Sequence, residues 1–152
     1  MRPRLSTLAS VTVVLTFVLI LLGVYTAATG GGLTCQGRWP ACGGGPFGFL
    51  PPNAASVPEW THRLVAMVTG FAIFGTAAEA WVGDHERRTR AAAGLAALLL
   101  PLQVVFGAET IFSYGPTIQV IHHGTAQLIF AGVIATALWA ADEPAGESSP
   151  GT

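Results

Sequence analysis

The chain has 152 residues, 51% of them hydrophobic and only 10% charged, with a formal net charge of −1. A soluble domain carries about 25% charged residues, so this composition leaves too little polar cover for a water-soluble globule and points to the membrane. The near-neutral charge and the lack of a basic stripe or nucleic-acid motif exclude a nucleic-acid partner.

Four apolar stretches, 7–28, 58–82, 89–112 and 117–141, approach the ~20 residues that cross the hydrocarbon core of a bilayer. They predict an all-α integral membrane protein, a bundle of four transmembrane helices in contact with membrane lipid. The first stretch exceeds the ~7–15 apolar residues of a secretory signal, and no cleavage site stands out, so it reads as a retained helix. Pro58 and Pro116 fall at helix starts, where a missing N–H does no harm. Pro101 lies inside the third helix and predicts a kink unless neighbours compensate.

All seven basic residues are arginines. Arg2 and Arg4 precede the first helix, and Arg87, Arg88 and Arg90 sit between the second and third. The segment 29–57 holds only Arg38, and the turn at Ser113–Pro116 holds no charge. The positive-inside rule then puts both termini in the cytoplasm and the 29–57 loop outside. The expected organisation is a transmembrane domain over 1–141, multi-pass in the plasma membrane, and a short, disordered cytoplasmic tail over 142–152.

The outer loop carries both cysteines, Cys35 and Cys42. Thiols outside the cytoplasm tend to oxidise, and this spacing closes a small ring compatible with a disulfide. Such a pair is either a staple for a loop with little secondary structure or a redox-active couple. With no histidine nearby it does not make a closed zinc site.

The second helix opens with Glu59-Trp60-Thr61-His62-Arg63. Ionisable groups at membrane depth are costly and mark functional sites unless they face protein, water or a cofactor. Glu59 and His62 are three residues apart and share a helical face. Glu59 has three possible roles: a general acid or base, a stabiliser of developing positive charge, or a partner to Arg63. The competing reading is a carboxylate placed by the helix dipole. Arg63 either pairs a haem propionate or snorkels to the interface.

A second pair, His122-His123, opens the fourth helix. His62 lies four residues beyond Pro58 and His122 six beyond Pro116. At ~1.5 Å rise per residue the two imidazoles come within about 3 Å of equal depth. Histidines at matched depth on parallel helices of a bundle are what bis-imidazole ligation of haem iron requires. His122 and His123 point about 100° apart, so one is the ligand. The face of His122 continues through Thr125, Ala126 and Ile129, with small residues first, which favours His122. The face of His123 continues through Gln127 and Phe130 and reads as an inter-helix contact. His85, between Asp84 and Glu86, reads as simply solvated. Glu109 is a weaker polar candidate near the end of helix three, and Glu79 reads as interfacial.

These residues resemble the haem A synthase family of cytochrome oxidase assembly. The loop sequence Thr29-Gly30-Gly31-Gly32-Leu33-Thr34-Cys35, then Trp39-Pro40-Ala41-Cys42, is similar to the family's Thr-Gly-Ser-Gly…Cys…Trp-Pro-x-Cys signature. Glu59-Trp60-Thr61-His62-Arg63 looks like its Glu-x-x-His-Arg, and Gln103…Gly107…Thr110 and His122-His123-Gly124 are similar to its later motifs. The resemblance implies a membrane oxidoreductase that converts the C8 methyl of haem O to the formyl of haem A. It implies His62 and His122 as axial ligands, Glu59 as the carboxylate beside the oxidised methyl, and a Cys35–Cys42 disulfide. The family's usual enzyme has two pseudo-symmetric four-helix halves, each able to hold a haem, and this chain resembles the first half as a compact form. A single haem does not easily serve as both haem O substrate and haem b electron carrier. The resemblance therefore implies a homo-oligomer or a partner membrane redox protein, with haem O synthase as a further possible partner.

Three other classes compete. A non-catalytic bis-histidine b-type cytochrome accounts for the histidines, though Glu59 and the cysteines tilt toward the enzyme. A thiol–quinone oxidoreductase needs a relay of cysteines that a single pair does not provide. A structural oxidase subunit explains the composition and leaves the polar constellation unexplained.

Overall fold

The computed structural model describes residues 5–143. Four helices account for most of them: α1 (Leu5–Ala28), α2 (Val57–Val82), α3 (Arg87–Phe112) and α4 (Pro116–Asp142). All four are long and apolar enough to cross a membrane. Their ends lie within two residues of the boundaries expected from hydropathy, because the stop signals are local. After α1 the chain turns at Gly30, whose φ of +68° suits a residue without a Cβ. Pro58 and Pro116 occupy the first turns of α2 and α4, and α3 runs unbroken through Pro101.

The helices form a closed ring in which α1 packs against α2 and α4, and α3 packs against the same two. The pairs α1–α3 and α2–α4 are therefore the diagonals. Small residues and threonines fill the interior: Ala9, Thr12, Thr16, Thr76, Ala77, Ala80, Ala92, Ala93, Ala96 and Thr136 are buried. Most large apolar side chains point the other way, with Phe71, Leu98 and Val120 each more than 70% exposed, while Leu5, Ile73, Ile129 and Val133 are buried. This inside-out distribution suits lipid, where helices gain by close packing rather than by hiding apolar surface. Several buried threonines donate to carbonyls one turn back, as Thr16 does to Thr12 and Thr136 to Gly132. The Thr12 and Thr76 hydroxyls meet at 3.0 Å between α1 and α2. At Gly132 a methyl would lie 3.2 Å from the Ala92 carbonyl oxygen and 3.3 Å from Ala96 Cβ, so α3 and α4 approach backbone to backbone there. Within α2, Ala77 is buried among Leu5, Ala80 and Ala93, whereas a methyl on Gly75 would meet nothing within 4 Å.

The end of the bundle opposite the 29–56 loop is closed by a polar clasp. Glu143 accepts hydrogen bonds from Thr89 Oγ1 (2.7 Å) and from the Glu86 amide (3.0 Å), and it pairs with His85 Nδ1. His85 is thus bound rather than solvated. At the start of the expected tail, Asp142 is the last residue of α4 and Glu143 is held by these bonds. The rest of the expected tail, 144–152, lies outside the described residues. Arg88 and Arg90 stack over Trp139 and Trp81 at 5.7 and 5.9 Å, cation–π contacts that anchor this end.

Burial works against the Glu143 carboxylate. The bonds from Thr89, His85 and the Glu86 amide, with the charge of His85, outweigh it and hold the group below its ordinary value of 4.5. A depressed folded-state value stabilises the fold above the ordinary value, and that contribution is lost as pH falls through the folded-state value. We expect Glu143→Gln to lower the thermal midpoint of the detergent-solubilised protein at neutral pH. The difference from the parent should shrink as the pH is taken below 4.5, and a pH-independent difference would remove Glu143 ionisation from the account.

Candidate functional site

The first two turns of α2 are a docking post for the loop. Glu59 is 2% exposed because it lies on the interior stripe continued by Thr69, Ile73, Thr76 and Ala80. Its Oε2 accepts from the Cys35 amide at 3.0 Å, and the Thr34 hydroxyl reaches the same oxygen at 3.2 Å. Its Oε1 pairs with Arg63 Nη2 one turn along the helix. Arg63 Nη1 in turn donates to the carbonyls of Arg38, Pro40 and Ala41 at 2.8, 3.0 and 2.8 Å. Those carbonyls belong to the ring closed by the Cys35–Cys42 disulfide, whose Cα atoms are 4.7 Å apart. Two neighbours add to the post: Trp60 Nε1 donates to the Phe49 carbonyl at 2.7 Å, and the fully buried Ser56 hydroxyl donates to the Thr34 carbonyl at 3.0 Å.

Of the readings open for Glu59, the partner to Arg63 is the one made in this structure. For Arg63 the bonds go to the loop ring and Glu59. A guanidinium has five N–H groups, and Nε–H with one Nη2 hydrogen is left over among the described residues. Glu109 accepts from Ser113 Oγ at 2.9 Å at the end of α3, apart from this network.

His62 lies five residues beyond Val57, the start of α2, and His122 six beyond Pro116, the start of α4. They occupy diagonally opposed helices, both at the loop end. His122 lies on the stripe continued by the buried Ile129, Val133 and Thr136, so it faces the interior. His123 bonds the Gln119 carbonyl through Nδ1 at 2.8 Å and meets His122 edge-on, with ring centroids 5.8 Å apart. Phe130, on the face of His123, stacks on Phe17 of α1, the inter-helix contact expected there. The Nδ1 atoms of both His62 and His122 are buried without a hydrogen-bond partner, as are Thr69 Oγ1 and Gln103 Oε1. Gln103 Nε2 lies 3.4 Å from His122 Nε2, a long contact for a hydrogen bond. Sequence reading placed Gln103 in a family pattern and gave it no role. Its signal was a polar amide inside an apolar run.

A match to the cytochrome oxidase assembly protein family, COX15-CtaA, covers residues 51–151. The chain belongs to that family. It is 37% identical over 130 residues to "Protoheme IX farnesyltransferase" of Halobacterium salinarum, spanning 85% of this chain and 29% of that protein. It is 30% identical over 137 residues to "Heme A synthase" of Bacillus licheniformis, with 88% and 44% covered. Against "Heme A synthase" of Alkalihalophilus pseudofirmus the identity is 30% over 139 residues, with 88% and 46% covered. The chain thus spans less than half the length of each of these relatives. No solved structure matches it. Membership and four helices of membrane-crossing length make this a multi-pass membrane protein.

The COX15-CtaA family implies a haem, and the residues present fit one. Buried polar atoms are normally hydrogen-bonded. Two imidazoles, an amide oxygen and a hydroxyl buried without partners are a donor set suited to axial ligation and to the polar edge of a macrocycle.

Glu59 and Arg63 stand on consecutive turns, Glu59 buried at 3% side-chain exposure and Arg63 partly covered at 15%. Removing one member of such a pair strands the other and costs about 3 kcal/mol. We expect Arg63→Ala to lower stability by about that amount and to speed reduction of the Cys35–Cys42 disulfide by a membrane-impermeant thiol. Arg63→Lys should rescue little, because an ammonium does not reproduce the planar fork that serves three carbonyls and a carboxylate. Parent-like stability and reduction rate in Arg63→Ala would show that the post does not hold the loop.

Proposed function

We propose that this protein binds haem between His62 and His122 and acts in haem A biosynthesis, oxidising the C8 methyl of haem O to the formyl of haem A. The observation that carries the reading is the pair of interior imidazoles on diagonally opposed helices at the loop end, each with a buried Nδ1 that has no partner among the described residues. Family membership and the heme A synthases among the relatives support it. The haem supplies an iron for the two imidazoles and, as haem O, the methyl group to be oxidised. His62 and His122 bind and orient it, with His123 held aside by its bond to Gln119. Glu59, one turn toward the loop from His62, is assigned as the carboxylate beside that methyl. A fixed negative charge there stabilises positive charge developing on the substrate, and its bonds to Cys35, Thr34 and Arg63 keep it from turning away. The donors left on Arg63 are assigned to a propionate.

The arginine distribution orients the protein with both termini in the cytoplasm and the disulfide loop outside the plasma membrane. The disulfide acts as a staple, since its ring serves as the acceptor for Arg63. Relatives named for protohaem farnesylation and for haem A synthesis match the same stretch of chain. This supports successive steps on one haem, with the farnesylating enzyme, haem O synthase, supplying the substrate. Because 29% of the Halobacterium salinarum protein is matched, farnesyl transfer itself is not assigned to this chain. Electrons leave to a second copy or to a partner membrane redox protein.

The full engagement of both Glu59 oxygens favours one second reading, a bis-histidine b-type cytochrome in which Glu59 only holds the loop. The test is expression in a host that makes haem O, followed by extraction and chromatography of the haems. Haem A should appear, and it should be lost in Glu59→Gln with haem still bound. The optical spectrum of bound haem should be lost in His62→Ala and His122→Ala and kept in His123→Ala. Bound but unaltered haem would favour the cytochrome, and folded protein with no haem spectrum would remove both readings.

A further inference from the structure

Each of the two interior histidines leans on a glycine of the preceding helix. A methyl built on Gly23 of α1 would lie 3.0 Å from His62 Cε1 and 3.5 Å from its Nδ1. A methyl on Gly107 of α3 would lie 3.2 Å from His122 Cε1 and 3.8 Å from its Nδ1. Both rings therefore fill the space a side chain would take, and both present Cε1 to it, with Nδ1 and Nε2 behind at 3.5 and 3.8 Å for His62 and at 3.8 and 4.0 Å for His122. The Nδ1 of each ring is buried without a partner among the described residues.

The two arrangements repeat in position as well. Gly23 lies five residues before the end of α1 at Ala28, and Gly107 five before the end of α3 at Phe112. The α1–α2 and α3–α4 hairpins thus carry the same glycine–histidine pair at one level, although a long loop joins the first and a short turn joins the second. The histidines occupy one diagonal of the bundle and the glycines the other, so all four helices contribute. General helix packing does not account for this. At Gly132, where packing is the reason, the added methyl would meet backbone and an alanine, and at Gly75 and Gly124 it would meet nothing within 4 Å. Glycine is also a poor helix former, which makes its use at these two points informative.

We propose that Gly23 and Gly107 are positioning residues that set the rotation of the His62 and His122 imidazoles by seating the Cε1 of each ring. The proposal rests on the bis-histidine reading above. Groups around a ligating imidazole fix its orientation and tune the metal. Here the fixing group is the absence of a side chain on the neighbouring helix, and it acts by shape. An alanine methyl at 3.0–3.2 Å from Cε1 is closer than ordinary carbon–carbon contact and turns or tilts the ring.

The test compares parent, Gly23→Ala, Gly107→Ala and the control Gly75→Ala, each checked for helicity. Low-temperature electron paramagnetic resonance and redox midpoint are read on haem-loaded protein, and 15N-histidine NMR on haem-free protein. Gly23→Ala and Gly107→Ala should shift the low-spin g-values and the midpoint. In haem-free protein each should move mainly the resonances of its own histidine, and Gly75→Ala, whose methyl meets nothing within 4 Å, should superimpose on the parent. Parent-like spectra in both variants, or an equal change in Gly75→Ala, would overturn the proposal. If Gly107→Ala does not fold, Gly23→Ala decides alone, and a parent-like result there overturns it. A parent without low-spin haem is a failure of the haem reading instead, and the haem-free NMR then still tests the glycine seats.

Discussion

The ion pair of the buried Glu59 and the partly covered Arg63 is the constraint on which the loop end of the molecule depends. A carboxylate removed from water is stable only when it is paired and its remaining bonding sites are met. Here the pair sits one turn apart on α2, and the groups that complete it come from one irregular segment: the Cys35 amide, the Thr34 hydroxyl and the carbonyls of Arg38, Pro40 and Ala41. The loop and the head of α2 are therefore each incomplete without the other. The disulfide keeps the three carbonyls within reach of a single Nη1. His62, between Glu59 and Arg63 in sequence, inherits a fixed level and heading from this anchorage.

Below that anchorage the bundle is held by different physics. Its interior is built of alanine and threonine with few large side chains, and most of its large apolar groups face outward. Close backbone approach at Gly132 and the hydroxyl pair of Thr12 and Thr76 take the place of an oily core. Such an interior holds few polar atoms without partners. The four that are buried and unpaired among the described residues are the Nδ1 atoms of His62 and His122, Gln103 Oε1 and Thr69 Oγ1. Together with the diagonal placement of the histidines, this is the basis on which we propose a haem site here.

Much of this was legible in the sequence, for identifiable reasons. Hydropathy marks helices that cross a membrane because each must be apolar for its whole length, so all four appeared with nearly correct ends. The shared face of Glu59, His62 and Arg63 follows from helical periodicity, and so does the inward heading of His122, whose face continues through small residues to the buried Ile129. What the sequence hid depends on rotation between helices or on irregular backbone. The diagonal relation of α2 and α4 is a tertiary fact. The partners of Arg63 are main-chain carbonyls and carry no side-chain signature. The Glu143–His85 clasp joins residues 58 apart across a boundary that composition placed before Glu143. The seats at Gly23 and Gly107 were hidden because a glycine in a membrane helix reads as generic packing until its neighbour is known.

This chain spans less than half the length of the relatives it matches, yet His62 and His122 stand on one chain and all four helices of the bundle contribute contacts around them. The proposed ligand pair is therefore complete within a single copy, whatever further copies or redox partners the reaction needs. The direct measurement is the haem-to-protein ratio of the purified ferric protein, taken together with its low-temperature electron paramagnetic resonance spectrum. The account expects one haem per chain and a low-spin, bis-imidazole signal. One haem shared between two chains, or a high-spin, five-coordinate signal, would contradict it.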